Sequence, residues 1–358
     1  MPLKNKIKLN RWLAPIAFLY GVGLAVRNMF YDRGWFKSVS YSEVPIICIG
    51  NLALGGTGKT PHTEYLLREL CKKYRIAVLS RGYKRKSKGF VLANETSTSA
   101  EIGDEPYQIK QKFPACIVAV DANRNRGIQK LLALPKGNVP ELILLDDAFQ
   151  HRAVMPSFSI LLTKASNLYV NDRLFPVGRL REPMKGAERA NVIVVTKCDN
   201  DLSPIDFRII ERSLPLRPMQ QLFFSKIVYD TLQPLYPALA EKERTILSDT
   251  EVLLVAGIES PEYMIEEVRK RTKNVHTILY PDHHDFVEKD YTHIDNQYQA
   301  LPKEKRMILL SEKDAARMKD NPLLPAEWKK DLYCLPIRVS FLKDNGKILL
   351  EQIEKQLK

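Results

Sequence analysis

The chain has 358 residues, of which 45% are hydrophobic, so it can bury a large core, and its length suggests two domains rather than one. A formal net charge of +13 favours polyanionic partners such as nucleic acid, anionic lipid or phosphorylated substrates. The five cysteines are scattered without a CxxC pair, which argues against a disulfide framework or a zinc site and indicates buried thiols in a reducing compartment.

The N-terminus combines basic and apolar residues. Lysines and arginines dominate the polar positions of residues 1–12, and an apolar stretch at 13–26 follows, which Arg27 closes. This stretch is shorter than the about 20 apolar residues that span a bilayer, and no small-residue cleavage site follows Val26. We therefore expect a helix in the membrane interface, with its cations at anionic headgroups. A helix packed on the neighbouring domain is the alternative.

A strand, a Gly-rich loop and a helix follow one another between residues 46 and 70. The strand is the apolar run at 46–49, and the helix begins near Pro61, a residue tolerated in a first helical turn. The loop contains Gly55-Gly56-Thr57-Gly58-Lys59-Thr60. In this context it predicts a phosphate-binding loop, in which Lys59 reaches the β- and γ-phosphates and Thr60 offers its hydroxyl to Mg²⁺. Ala53 stands where the strict pattern has Gly, and a Gly-rich turn without a nucleotide is the alternative.

Further apolar runs predict strands at 76–80, 116–120, 142–146, 158–163 and 192–196. Because helical segments alternate with them, we expect an α/β fold with a parallel, doubly wound sheet. Loops at the carboxyl ends of such strands line the ligand crevice. The basic loop that contains Arg81 and the segment that contains Arg124 follow two of these strands.

The strand at 142–146 runs into two carboxylates, Asp146 and Asp147. A hard oxygen ligand near the β- and γ-phosphates is what Mg²⁺–nucleotide chemistry requires. Gln150, His151 and Arg152 follow after Ala148 and Phe149. Several polar side chains at a strand end indicate a site, with a surface turn as the alternative.

Two other motifs allow more than one interpretation. Asp104 opens a helical stretch that runs to Lys112, and an acidic residue at a helix start is often only a cap. Residues 196–199, Thr-Lys-Cys-Asp, resemble the guanine-specificity motif of G proteins. No DxxG switch motif lies between them and the phosphate loop. The sequence therefore does not decide between an adenine and a guanine nucleotide, and we favour ATP.

The pattern changes at about residue 215. An apolar run at 222–229 predicts a strand outside the βα alternation, and the run at 335–341 could pair with it to form a ribbon. Strands predicted at 252–256, 277–280 and 307–310 indicate a second α/β unit without a phosphate loop. There, clustered His and Asp at 282–285 could bind metal or act as acid and base, or form only a polar turn.

These patterns divide the chain into five parts. The parts are an N-terminal membrane-interface helix (1–32), a P-loop core (33–214), a β-ribbon linker (215–232 and 333–342), a second α/β lobe (233–332) and a C-terminal helix (343–358).

The motifs together resemble the tetraacyldisaccharide 4′-kinase family, the lipid A 4′-kinases of Gram-negative bacteria. The matching pieces, in family order, are GNL at 50–52 running into GGTGKTP, SRGY at 80–83, GDEP at 103–106, DDAFQHR at 146–152, GRLREP at 178–183, DH at 282–283 and SEKD at 311–314. The GDEP and DDAFQHR pieces are specific, whereas GKT alone is not. In that family the position of Ala53 is not restricted to Gly.

The resemblance implies transfer of the γ-phosphate of ATP, with Mg²⁺, to the 4′-hydroxyl of tetraacyldisaccharide 1-phosphate, an acylated glucosamine disaccharide, in lipid A biosynthesis. It implies a P-loop NTPase-like parallel sheet core and a second, smaller α/β lobe joined by a β-ribbon, with the site in the cleft. It also implies a protein peripheral to the cytoplasmic face of the anionic inner membrane. We expect a monomer without a nucleic-acid partner.

The resemblance assigns roles to residues that match the family motifs. The implied catalytic residues are Asp104, His283 and Lys59. The implied nucleotide-binding residues are Gly55, Gly56, Thr57, Gly58, Lys59 and Thr60. The implied metal ligands are Thr60, Asp146, Asp147 and Glu182. The implied substrate-binding residues are Ser80, Arg81, Arg124, Gln150, His151 and Arg181.

In this assignment Asp104 orients His283, which takes the proton of the sugar hydroxyl. The two residues lie in different predicted lobes, so closure of the lobes would assemble the base around bound substrate.

Two other functions remain as alternatives. A P-loop GTPase or metal-insertion NTPase without lipid kinase activity would fit residues 196–199 and the scattered histidines. A nucleotide-gated nucleic-acid-binding module would fit the positive charge, although no helix-turn-helix, RNP or zinc-knuckle pattern occurs.

Overall fold

The computed structural model describes residues 9–199, 202–240, 244–282, 284–319 and 321–357. The chain divides into two units, the first Met1–Ile227 with Val339–Lys358 and the second Val228–Arg338. His283, one of the predicted catalytic residues, lies outside the described residues.

Helices and strands alternate along most of the chain. The described α-helices are α1 (Ala14–Asp32), α2 (Lys59–Leu70), α3 (Ser99–Ile102), α4 (Asp104–Lys112), α5 (Arg124–Leu132), α6 (Pro204–Ser213), α7 (Glu262–Arg269), α8 (Glu288–Gln299), α9 (Glu312–Met318) and α10 (Asn345–Gln356). Short 3₁₀ helices cover Arg11–Leu13, Tyr169–Asn171, Met184–Arg189, Ala326–Lys330 and Leu342–Asp344.

The described strands form two sheets. The strands are β1 (Ile46–Asn51), β2 (Ile76–Ser80), β3 (Val91–Leu92), β4 (Ile117–Val120), β5 (Leu142–Asp146), β6 (Phe158–Lys164), β7 (Val192–Thr196), β8 (Gln221–Tyr229), β9 (Gln233–Pro234), β10 (Glu251–Ala256), β11 (Val275–Leu279), β12 (Arg306–Leu310), β13 (Leu332–Cys334) and β14 (Ile337–Phe341).

The larger sheet has the strand order β14-β8-β7-β6-β1-β5-β2-β4-β3. The strand β1 lies near its middle, pairs in parallel with β5 and β6, and has all six residues buried. Burial on both faces explains its continuous apolar sequence. The predicted parallel α/β fold is confirmed, and the carboxyl ends of β1, β2, β4 and β5 open at one edge of the sheet.

The assignment of the run at 222–229 needs a correction. We expected a strand outside the βα alternation, but β8 follows the helix α6 and pairs in parallel with β7, so it continues the large sheet. The helix α6, which begins with a capping box at Ser203 and Asp206, was not predicted, and the crossover that it forms was therefore missed. The expected partner strand, β14, is the neighbour of β8. The β-ribbon linker between the two lobes stays a prediction.

The N-terminal helix is longer than its apolar core suggested. A helical segment of 22 residues, Arg11–Asp32, is long and apolar enough to cross a membrane by length and composition alone, so its length does not exclude crossing, contrary to our expectation. Trp12, Phe18 and Leu19 are exposed on it. The same helix also contacts the first unit, because the hydroxyl of Tyr20 donates to the carbonyl of Arg181 at 2.8 Å.

The second unit has a sheet of its own, with the order β11-β10-β12-β13-β9. The strands β10, β11, β12 and β13 are parallel, and β9 is antiparallel to β13. Fully buried Trp328 and Tyr298 belong to its core. At the end of β12, Ser311 caps α9 by accepting from the N–H of Asp314, as its position in the sequence indicated.

Candidate active site

The predicted phosphate loop connects the central strand β1 to α2, which begins at Lys59. Gly55 has φ 103° and Gly58 has φ 89°, a backbone region that favours glycine. Gly58 is the residue directly before the helix. The first N–H groups of a helix have no partner within the helix, so this end of α2 is suited to an anion.

Polar side chains hold the loop from the side of the sheet. The amide of Asn51 donates to the hydroxyl of Thr57 at 2.8 Å and to the carbonyl of Gly55 at 3.4 Å. The hydroxyl of Thr196, at the end of β7, donates to the carbonyl of Thr57 at 2.8 Å. Since a trans peptide directs its C=O and N–H groups to opposite sides, these bonds also fix where the loop N–H groups point.

A histidine that the sequence analysis did not consider belongs to this support. The Nδ1 of His62 lies 2.6 Å from the carbonyl oxygen of Gly58, and its Nε2 lies 2.9 Å from the hydroxyl of Ser225 on β8. Burial lowers the pKa of His62 to about 4, against the opposing effect of the bond to Gly58, so the ring is neutral at physiological pH. The only signal in the sequence was its position three residues after Lys59.

Lys59 lies in a charged cluster at the carboxyl end of β5. Its Nζ is 3.7 Å from Oδ2 of Asp147, and Oδ1 of the same carboxylate accepts from Arg181 at 2.7 Å. Arg181 in turn donates to the side chain and the carbonyl of Asn51. Burial acts to raise the pKa of Asp147, but Lys59 and Arg181 outweigh it and hold that pKa below its ordinary value. Asp147 is therefore an anion beside the phosphate loop, at a φ of 50°.

The pKa of the neighbouring Asp146 is shifted in the opposite direction. The carboxylate is buried and accepts from the hydroxyl of Thr63 at 3.3 Å. Burial, with smaller contributions from Glu105 and Asp147, raises the pKa of Asp146 to about 7, and Lys59 only partly opposes this shift. Adjacent carboxylates thus have different proton affinities at neutral pH, so binding of a cation would displace a proton from Asp146.

Glu182 lies at the far end of a hydrogen-bonded network. It is fully buried, and its carboxylate oxygens accept from Gln150 at 2.9 Å and from Arg189 at 2.8 Å. Gln150 also donates to the carbonyl of Asn51 at 2.7 Å. The structure therefore connects the two predicted site residues Gln150 and Glu182 to the strand that ends in the phosphate loop.

Phe149 packs on Gly50 of β1 and brings the segment after β5 close to the phosphate loop. A Cβ atom on Gly50 would lie 2.5 Å from the Cβ of Phe149, so only glycine allows this approach. The segment that contains Gln150 and His151 can lie beside the phosphate loop for this reason.

The oxygen donors near the loop suit Mg²⁺. Thr60, in the first turn of α2, is buried, Asp146 ends the strand β5, and Asp147 directly follows it. Among the described residues, no group of three or more His, Cys, Asp or Glu side chains could hold a metal ion by protein ligands alone. Mg²⁺ is usually held by one or two carboxylates together with substrate phosphates, so these residues fit that ion in a nucleotide site. The two oxygens of Glu182 each accept one hydrogen bond and each keep a second lone pair, so its role as a metal ligand stays a prediction.

Arg124 is a buried cation at the same sheet edge. It is 3% exposed and donates to the backbone carbonyls of Asp121 at 2.5 Å and Asp146 at 3.4 Å. Its Nε is buried and has no hydrogen-bond partner among the described residues, so one donor is left for an acceptor. Ser80, at the end of β2, is also buried, and its hydroxyl accepts from the N–H of Gly82 at 3.5 Å.

His151 lies within electrostatic reach of three cations. Burial lowers its pKa, and Arg124, Arg81 and Arg27 lower it further. Arg27 belongs to α1, so the N-terminal helix adds positive charge near the predicted substrate-binding residues. The structure thus brings Arg81, Arg124 and His151 into one positive region that would favour an anionic ligand.

Asp104 begins the helix α4, which packs on α2. The buried Glu64 of α2 accepts from Lys112 at 2.5 Å and from Gln108 at 2.7 Å, and both donors belong to α4. The preceding residue, Gly103, has φ 94°, and a Cβ atom there would lie 3.1 Å from the carbonyl of Tyr83. The GDEP segment therefore packs against the loop that contains Arg81.

Only part of the cluster at 282–285 is described. His284, the neighbour of His283, pairs with Asp290 at 2.8 Å and stacks on Tyr280 with ring centroids 4.4 Å apart. These contacts fix the ring of His284 against residues of the second unit. The pairing of Asp104 with His283 stays a prediction.

The segment at 196–199 has a structural role in the loop. The hydroxyl of Thr196 holds Thr57, as described, and the N–H of Cys198 donates to the carbonyl of Ser225 at 3.0 Å. Lys197, between them, has φ 55°. The resemblance to a guanine motif thus coincides with a turn that supports the phosphate loop.

The pKa of Asp146 generates a stability prediction. Its folded pKa of about 7 lies above its ordinary value of 3.8, so the stability that this group contributes is present below about pH 4 and is lost as the pH rises towards 7. In EDTA at pH 8, Asp146→Asn should therefore raise the Tm relative to wild type, by at least about 2 °C, and the difference should shrink at pH 5.

Thermal unfolding followed by circular dichroism measures this difference. Asp249→Asn is the matched control, because Asp249 is exposed and its pKa is lowered by a bond to Lys305, so it should give no gain at pH 8. An Asp146→Asn protein that is less stable than wild type at pH 8 would contradict the assignment.

Comparisons with known proteins agree with this geometry. The family model for tetraacyldisaccharide-1-P 4′-kinase matches residues 9–358. A tetraacyldisaccharide 4′-kinase of Parabacteroides distasonis is 52% identical over 355 residues, which cover 99% of this chain and 96% of the relative. One from Bacteroides thetaiotaomicron is 46% identical and covers 94% of this chain and 90% of the relative.

A solved structure is similar over nearly the whole chain. It is an "apo" form of LpxK from Aquifex aeolicus in complex with ATP, with a TM-score of 0.75 and 28% sequence identity over 97% of this chain and 99% of that one. The family resemblance indicated by the sequence motifs is confirmed. With a matching family model, close relatives and the observed fold in agreement, this chain belongs to the tetraacyldisaccharide-1-P 4′-kinase family.

Proposed function

We propose that this protein transfers the γ-phosphoryl group of ATP to the 4′-hydroxyl of tetraacyldisaccharide 1-phosphate in lipid A biosynthesis. The observation that carries the proposal is the position of Lys59, at the first residue of α2 and 3.7 Å from Asp147 at the end of β5. The GTPase or metal-insertion alternative is not favoured, because the family match covers residues 9–358.

Positioning and charge stabilisation account for most of the catalysis of phosphoryl transfer. Lys59 and the N–H groups at the start of α2 would bind the β- and γ-phosphates, together with the loop residues Gly55 to Thr60. Asp147 holds the Lys59 ammonium beside the loop, and Arg181 anchors Asp147. The phosphate-binding cation thus has a fixed position before the nucleotide arrives.

Thr60, Asp146, Asp147 and Glu182 would hold Mg²⁺. Glu182 is joined through Gln150 to the carbonyl of Asn51 at the end of β1. Bound Mg²⁺ neutralises charge on the phosphate oxygens. The chain's own contribution is to present a buried hydroxyl and two carboxylates on adjoining elements. Asp146 must lose its proton to bind a cation, so binding of Mg²⁺ should strengthen as the pH rises through 7.

The acceptor would lie towards the positive region around Arg124 and His151. Its 1-phosphate is an anion, and Arg81 and Arg124, whose Nε has no hydrogen-bond partner among the described residues, are suited to phosphate oxygens. Ser80, Gln150 and Arg181 are proposed as further substrate contacts.

A sugar hydroxyl is a weak nucleophile, so a positioned base should accelerate its attack. Asp104 and His283 are the proposed pair, on the strength of the family motifs GDEP and DH.

The chain would act at a membrane surface, on the cytoplasmic face of the inner membrane and as a monomer. The helix α1 supports this proposal, because it exposes Phe18 and Leu19, with exposed Trp12 in the 3₁₀ turn before it, while Arg27 lies close enough to His151 to influence its pKa. An acylated substrate would remain in the lipid phase while its headgroup reached the site. The net charge of +13 suits an anionic membrane.

Phosphate transfer from γ-labelled ATP to the acylated disaccharide 1-phosphate in detergent micelles tests the function. Wild type should label the lipid. His283→Ala should lower kcat by about 100-fold or more while the KM for ATP changes little, because a base acts on the hydroxyl and not on nucleotide binding.

His293→Ala, at an exposed histidine of α8, is the matched control and should keep wild-type turnover. Equal losses in ATP affinity and in rate would remove His283 from its role. ATP hydrolysis by wild type without labelled lipid would favour the NTPase alternative.

Membrane association has a separate test. Phe18 and Leu19 are 71% and 69% exposed, so Phe18→Glu with Leu19→Glu should abolish co-sedimentation with anionic phospholipid vesicles without unfolding the protein. Met219→Glu is the control, since Met219 is 89% exposed but lies outside α1. Undiminished vesicle binding by the double variant would refute the anchor.

A further inference from the structure

The imidazole of His62 lies between the phosphate loop and the strand β8. It is 4% exposed, with Nδ1 2.6 Å from the carbonyl oxygen of Gly58 and Nε2 2.9 Å from the hydroxyl of Ser225. Ser225 is 1% exposed. Both ring nitrogens therefore have buried polar partners, and one of those partners belongs to the loop.

The chemistry of the partners determines where the proton of the ring lies. A carbonyl oxygen can only accept, so the neutral ring must carry its proton on Nδ1 and donate it to Gly58. Nε2 is then an acceptor, and the hydroxyl of Ser225 must donate to it. This arrangement satisfies both nitrogens and fixes one tautomer.

The bond acts on the peptide that joins Gly58 to Lys59. The carbonyl of Gly58 also accepts from the N–H of His62 at 3.2 Å, so two donors of the same residue hold it. In a trans peptide the C=O of Gly58 and the N–H of Lys59 point in opposite directions. Gly58, at φ 89°, has the freedom of glycine, and the imidazole limits that freedom.

The preceding peptide is held in the same way. Thr196 donates to the carbonyl of Thr57 at 2.8 Å, which orients the N–H of Gly58. Ser225 also accepts, through its carbonyl, from the N–H of Cys198 in the turn after β7 at 3.0 Å. Two successive loop peptides are thus oriented, one by Thr196 at the end of β7 and the other by His62, which Ser225 of β8 holds in turn.

We propose that His62 is a positioning residue that, with Ser225 as its buried partner, orients the Gly58–Lys59 peptide towards the phosphate that is transferred. This proposal rests on the proposed kinase function. Small errors in the position of reacting groups cost more in the transition state than in binding. Loss of the bond should therefore lower kcat more than it weakens ATP binding.

Four variants test the role of the imidazole. His62→Asn keeps a side-chain N–H that can reach the carbonyl of Gly58, whereas His62→Leu has no donor. Ser225→Ala removes the partner of Nε2, and Ser159→Ala removes a hydroxyl from another buried serine, on β6, and is the control. Assays are run well below the Tm of each variant, so that loss of stability does not appear as loss of rate.

His62→Leu should lower kcat about tenfold with less than a threefold change in the dissociation constant of ATP. His62→Asn should retain at least about half of the wild-type kcat, and Ser225→Ala should lose about threefold. Ser159→Ala should behave as wild type. Equal losses in His62→Asn and His62→Leu, or full activity in His62→Leu, would overturn the proposal.

Nitrogen-15 NMR of histidine-labelled protein gives a second readout. The signals that vanish in His62→Asn should show a neutral ring protonated at Nδ1 at pH 7.5, and an Nε2-protonated ring would overturn the proposal. Absence of labelled lipid from wild type would count against the proposed function and would leave this tautomer measurement valid. Normal turnover in His62→Leu would remove the role of His62 while the function stands.

Discussion

The site depends on the orientation of the carbonyl groups in the phosphate loop. The hydrogen bond from Thr196 to the carbonyl of Thr57 is one of the bonds that fix this orientation. Carbonyl groups in a glycine-rich loop could turn towards a bound anion and repel it. Here side chains of the sheet and of α2 hold the carbonyls of Gly55, Thr57 and Gly58 from the protein side. The N–H groups can then face the ligand without a loss of backbone freedom at the moment of binding.

In the same region, two adjacent carboxylates differ in their charge. Asp147 is kept ionised by Lys59 and Arg181, whereas burial keeps Asp146 closer to neutrality. A site that held two full anions beside an incoming nucleotide would oppose its binding. When Asp146 is protonated, the two carboxylates together carry less negative charge. A divalent cation that binds there can displace the proton.

Much of this architecture could be predicted from local sequence. The buried run before the phosphate loop predicted the central strand, because parallel strands covered on both faces are continuously apolar. The polar ends of the runs at 76–80 and 142–146 predicted which loops meet at one edge. The place of β8 was missed because α6, a helix of 10 residues, was not recognised. The order of the strands in the sheet does not follow from the pattern of any single segment.

The supports of the site were harder to predict than its motifs. His62, Ser225 and Thr196 lie far apart in sequence and meet only because β7 and β8 are neighbours in the sheet. Glu182 was predicted as a metal ligand from a family motif, but its bonds to Gln150 and Arg189 appear only in three dimensions. Residues that contact a ligand leave a local signature, whereas residues that hold them in place follow from packing.

A crystal structure of the protein with Mg²⁺ and a non-hydrolysable ATP analogue tests the central claim most directly. Phosphate oxygens should lie within hydrogen-bond distance of the N–H groups of Gly58 and Lys59, and the Lys59 ammonium should contact the γ-phosphate. The carbonyls of Thr57 and Gly58 should keep their partners Thr196 and His62. Phosphates bound away from this loop, or a Gly58 carbonyl turned towards the nucleotide, would contradict the account.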